Sequence, residues 1–180
     1  MPLCNDIILL ARYNGTMNRQ VYDAAATLPH EAHVADRGPF FGSLLGTLNH
    51  LAAADTIWLT RFAGHPTAFR SLDTLRGGVV PTDLRQSYGE SLALLRVQRE
   101  RLDALIAALA GEVSESDLAQ VLVYRNTRGV AFSKPFGSLL LHLFNHQTHH
   151  RGQASTLLTQ AGVDIGVTDL LMLIEDRPPA

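Results

Sequence analysis

Apolar residues recur at steps of three and four along four long stretches of this 180-residue chain, and proline- and glycine-bearing segments separate them. Such spacing gives a helix one apolar face, which has to be buried against another element. The first stretch covers 3–28, with Leu3, Ile7, Leu10, Met17, Val21 and Leu28 on its face and Asn14 set among them. The second covers 43–63, with Ser43 as its N-cap. The third covers 82–110, opening at Thr82 after Pro81 and stopping at Gly111. The fourth covers 135–161, with Pro135 in its first turn and Gly162 just past its end. A short last helix over 168–175 is expected to start at Thr168. Between the third and fourth stretches, 121–124 and 130–133 flank a Gly-containing loop. They read as a short hairpin or an irregular excursion, which has to lie against the helices because a lone hairpin is marginal in water. The expected fold class is all-α, an up-and-down four-helix bundle forming a single domain over residues 1–180.

Composition narrows the function. At 19.6 kDa, folding buries about 70% of the extended chain's surface, enough for a core without staples. Fifteen Lys+Arg against 17 Asp+Glu supply no basic excess, which counts against nucleic acid as a partner. Cys4 is the single cysteine, so no internal disulfide and no cysteine-cluster zinc site can form. No apolar run reaches membrane-spanning length, and the first residues lack the basic start of a secretory signal. A cytoplasmic protein is expected, with no membrane partner.

Eight histidines are the unusual feature, and His142, His146, His149 and His150 fall within nine residues. At about 100° per residue, Leu139, Leu143, His146, His150, Gln153, Ala154 and Leu157 share one third of the helix circumference. His146 and His150, four residues apart, therefore stack one turn apart inside the apolar stripe, with His142 and His149 on its shoulder. Buried imidazoles need a partner for each ring nitrogen. A metal ion supplies one, and a hydrogen-bond acceptor behind each ring supplies the other. Carbonyls or waters would satisfy the same rings without an ion. A third ligand would come from the second stretch, where Asp55 sits nearer the centre of the apolar stripe than His50. Asn14 reads either as a buried amide bonded to nearby backbone or as one aimed at a polar pocket. His30, His33 and His65 read as solvated loop histidines, Arg96, Arg99, Glu100, Arg101 and Asp103 as a solvated helix side, and Arg151 as an exposed arginine or one that faces an anionic ligand. The HExxH pair of zinc proteases, the Glu-x-x-His pairs of di-iron bundles, and the P-loop, GxGxxG and GxSxG signatures are all absent.

Tyr13-Asn14, the block from Leu48-Asn-His50-Leu to Ala54-Asp55-Thr-Ile-Trp58-Leu, and the block from His142 to Gln153 together resemble the DinB/YfiT-like family over nearly the whole chain. The resemblance implies a four-helix bundle holding one divalent metal, zinc or nickel, on three histidines. These match His50, His146 and His150 here. It decides for His50 over Asp55, which then reads either as an acceptor behind a ligand ring or as a capped or interhelical hydrogen-bonded carboxylate. Asn14 reads as a group facing the site, and His142, His149 and Gln153 either face water or substrate or lie in solvent or at an interface. It also implies a homodimer and a small-molecule substrate. A low-molecular-weight thiol is an implied co-substrate, because Cys4 lies at the chain's start and no other cysteine is present. The expected activity is activation of a thiol or water, as in an S-transferase or hydrolase. The alternatives are a non-catalytic metal-binding stress-response protein and a helical oligomerisation module.

Overall fold

The computed structural model describes residues 2–176. It is mostly helical, with four long helices: α1 (Leu3–Ala25), α3 (Leu44–Phe62), α4 (Leu92–Glu112) and α6 (Phe136–Gln160). Short helices α2 (His30–Val34) and α5 (Glu115–Leu118) sit in the connections. Strands β1 (Val121–Arg125) and β2 (Ala131–Pro135) form one antiparallel hairpin, with Tyr124 opposite Phe132. No helix among the described residues is long and apolar enough to cross a membrane.

Among the long helices, α1 packs on α4 and α6, and α3 packs on the same two. The consecutive helices α1 and α3 therefore face each other across a diagonal, as do α4 and α6. Each diagonal step has a long connection to make it: residues 26–43 in the first case, and α5 with the hairpin in the second. One apolar cluster draws on all four helices, with Ile7, Leu48, Leu51, Leu95, Ile106 and Leu143 nearly inaccessible.

Two expected elements differ. The third long helix starts at Leu92 rather than at 82, because Ser91 is its N-cap and accepts from the Leu94 N–H at 3.4 Å. The preceding residues are held away from helical geometry by Asn49 on α3. The Asn49 side-chain oxygen Oδ1 accepts from the Tyr88 N–H at 2.6 Å and the Gly89 N–H at 3.2 Å. Its amide donates to the Gly89 carbonyl at 3.0 Å. The last helix, expected over 168–175, is only a 3-10 turn at Leu170–Leu173 with no side-chain cap.

The hairpin leans on the helices as its marginal stability requires. Leu122 is buried, Tyr124 packs 5.4 Å from the Trp58 ring, and the Arg61 guanidinium lies over both aromatics. Its turn closes through Asn126, whose side chain accepts from the Arg128 and Val130 N–H groups.

Candidate metal centre

His50 comes from α3, and His146 and His150 from α6, the packed pair that brings their rings together. Each contributes one ring nitrogen to a group whose members lie within 4.8 Å of one another. The His50 and His146 Nε2 atoms are 3.3 Å apart. Ring centroids of His146 and His150 are separated by 4.4 Å, and those of His50 and His150 by 4.5 Å.

Hydrogen bonds set the tautomers. A carbonyl oxygen only accepts, so the contact of 3.0 Å between His50 Nδ1 and the Leu84 carbonyl places the proton on Nδ1 and a lone pair on Nε2. His150 Nδ1 meets the Gln153 Oε1 at 2.7 Å, which has the same effect on its Nε2. His146 Nδ1 is buried and meets no partner among the described residues. Nitrogens about 2.0–2.1 Å from a tetrahedral zinc are about 3.3–3.4 Å apart, so the His50–His146 separation suits a shared ion.

Electrostatics keep the rings neutral, the form in which imidazole binds a metal. Burial lowers the His146 pKa to about 3, helped by the neighbouring His150 and His50 rings. Burial also lowers His50 and His150, against the opposing pull of the Leu84 and Gln153 contacts. Phe41 stacks on His50 with centroids 3.8 Å apart, forming one wall of the site. Phe41 is held close to the first turn of α3 by a glycine: a Cβ on Gly46 would meet the Phe41 carbonyl oxygen at 2.1 Å.

The other expected residues divide. Gln153 bridges His150 and His149, its amide nitrogen 3.4 Å from His149 Nε2. His142 and His149 are exposed on the rim, with His142 packed 5.0 Å from Trp58. Asp55 is completely buried, but it pairs with Arg99 at 2.7 Å and accepts from the Gln147 amide; it bonds no imidazole. Asn14 is buried and held by side chains rather than backbone, donating to Asp103 at 3.4 Å and accepting from Arg151.

Four residues expected in solvent are buried. Arg99 turns inward to meet Asp55 and, at 3.1 Å, Asp103, so the supposed solvated side of its helix carries a buried ion pair. Arg151 is buried against Asn14 and Gln147. His33 is buried because its Nε2 reaches the Ala25 carbonyl at the end of α1, 2.8 Å away. His65 is buried between the Phe69 and Phe136 rings. Burial pushes the Asp55 carboxyl up to about 6 although Arg99 opposes it.

Gln147 is the important polar residue that the sequence reading passed over. It is fully buried and ties α6 to α3 between the turns that carry His146 and His150. A signal was present: Gln147 and Arg151 repeat the four-residue spacing of His146 and His150, one position on.

The sequence model of the DinB family matches residues 1–178. Protein DinB of Bacillus subtilis (strain 168) is 24% identical over 165 residues, covering 89% of this chain and 88% of the relative. The crystal structure of a DinB-like protein from Bacillus cereus ATCC 10987 is similar in fold, with a TM-score of 0.60 at 22% identity, covering 87% of this chain and 91% of that one.

Proposed function

The chain belongs to the DinB family, and we propose that it binds one divalent metal ion, zinc or nickel, through His50, His146 and His150. The observation that carries this reading is the convergence of three neutral imidazoles from two helices, two of them with their second nitrogen already bonded. An ion held only by neutral nitrogens supplies an uncompensated positive charge that acidifies a bound water or thiol. On that chemistry the protein is a thiol-dependent S-transferase or a hydrolase acting on a small molecule. The protein's residues would hold and orient: Leu84 and Gln153 fix the rings, Phe41 closes one side, and His142 and His149 stand at the rim. Cys4 is no candidate nucleophile, since it lies at the start of α1 with its thiol bonded to Glu115, which raises its pKa. A low-molecular-weight thiol would supply the sulfur. A cytoplasmic setting and a homodimer belong to the same reading, the latter tested by sedimentation equilibrium.

Metal analysis of purified protein tests the core of the proposal. About one divalent ion per chain is expected, lost in both His146→Ala and His150→Ala. Incubation with thiols and electrophiles then separates enzyme from binder: a conjugate that vanishes in His150→Ala supports the transferase. A non-catalytic metal-binding protein would hold the ion and form no conjugate. A metal-free structural role has one observation in its favour, because the 3.3 Å contact between the two Nε2 atoms also suits a direct His50–His146 hydrogen bond. In that case the wild-type protein carries no stoichiometric ion and chelator leaves its stability unchanged.

A further inference from the structure

A second site lies on the other side of α6. On the helix wheel, Thr148, Arg151 and Ser155 centre roughly opposite the His146–His150 stripe. There α1, α6 and the segment 165–168 enclose a cavity of about 130 Å³. The segment is strapped down by α1: Tyr13 donates to the Thr168 carbonyl at 2.7 Å, and Gln20 donates to the Val167 carbonyl at 3.0 Å and to the Ile165 carbonyl. Met17, Val21 and Ile165 give the cavity an apolar wall, and Arg151 gives it a cationic end.

Arg151 is 5% exposed, yet among the described residues no carboxylate forms an ion pair with it. The contrast with Arg99 is sharp, because Arg99 takes the buried Asp55 and the partly buried Asp103. Neutral oxygens hold Arg151 instead: those of Asn14, Asn18 at 3.5 Å and Gln147 at 3.4 Å on Nη1, and of Thr148 at 3.3 Å on Nη2. The Tyr13 ring lies 5.2 Å from the guanidinium carbon and its hydroxyl also supports the charge, but among the described residues the Nε–H makes no hydrogen bond, so part of the five-donor fork is left over. A buried guanidinium with spare donors favours a carboxylate, which can bond it through two oxygens.

We propose that this cavity binds a small monocarboxylic acid, its carboxylate on Arg151 and its apolar body against Met17, Val21 and Ile165. A cavity of about 150 Å³ accommodates benzene and this one is about 130 Å³, so the apolar body of the acid is no larger than a phenyl ring, with its carboxylate outside that body at the Arg151 end. The site needs no metal and stands apart from the histidines.

Calorimetric titration of the full chain with benzoate and with butyrate tests this. Saturable binding of one acid per chain is expected for benzoate. Benzamide, of the same shape and uncharged, should bind at least about tenfold more weakly, and 1-naphthoate, too large for the space, should not bind. Arg151→Met should abolish benzoate binding. Because that variant can also disturb the interior, Ser155→Phe is the second arm: it fills the cavity from its rim and should abolish binding with little change in Tm. His146→Ala should bind benzoate as the wild type does. Failure of benzoate to bind, equal binding of benzamide, survival of binding in Ser155→Phe, or loss of binding in His146→Ala would each overturn the proposal. The last outcome would place the acid at the imidazoles instead, and none of the four bears on whether an ion binds there.

Discussion

Asp55 and Arg99 meet 2.7 Å apart where neither touches solvent, and the consequence of removing one is asymmetric. A buried pair contributes little net stability, but stranding one charge is severe. Asp55→Ala leaves the Arg99 guanidinium with only the partly buried Asp103 and leaves the Gln147 amide without its acceptor. It should lower unfolding free energy by about 3–5 kcal/mol, measured by urea denaturation. The double variant Asp55→Ala/Arg99→Met should lose clearly less than the sum of the two single changes. Additive losses would mean that the two side chains do not act as a pair. Arg99 and Arg151 are also where sequence reading reaches its limit. Their helix positions place them beside charged or polar neighbours, which reads as a wet surface. Only the partner helix reveals the carboxylate or amide that makes burial tolerable. Histidine spacing, by contrast, is local, so the alignment of His146 with His150 on one helix face was legible from residue numbers alone.

The helices themselves were legible where their signals are local. Ser43 caps α3 by accepting from the Gly46 N–H at 3.1 Å, and α6 runs between the expected proline and glycine. The start of α4 was not, because it depends on Asn49, some forty residues earlier in sequence. The 82–90 segment matters to the site, since its Leu84 carbonyl orients His50. Gly89 lets that segment pass close to α4: a Cβ there would lie 2.6 Å from the Leu95 nitrogen, and backbone cannot swing aside as a side-chain tip can. Gly89→Ala should therefore destabilise the protein by about 1–3 kcal/mol through overpacking. By shifting the Leu84 carbonyl it should also weaken metal affinity by about tenfold or more. An unchanged Tm together with unchanged affinity would show that the segment is free to move and does not position His50.

Across the whole molecule, two opposed titrations set how stability responds to acid. His146 has an ordinary pKa of 6.5 when unfolded and about 3 when folded. Between those limits the unfolded chain binds a proton that the native state refuses, so this contribution is full above 6.5 and is lost as pH falls. Burial lowers His50, His65, His142 and His150 as well, with the same sign. Asp55 acts the other way: its carboxyl rises from 3.8 to about 6, so the native state holds a proton that the unfolded chain releases, and stability falls as pH rises through that window. Five imidazoles outweigh one carboxylate, so metal-free protein should lose stability from pH 7 to pH 4.5. Asp55→Asn should make that dependence steeper, because it removes the opposing titration. A divalent ion that binds only the native state adds about 2.7 kcal/mol at a hundredfold excess over its Kd. Protons compete for the same nitrogens, so this increment should shrink as pH falls. Urea midpoints with and without zinc at pH 7.5 and pH 5 measure it directly. A zinc increment equal at the two pH values would mean that the ion sits on groups other than these imidazoles, whereas an increment confined to the higher pH ties the bound metal to the same rings whose burial governs the acid response.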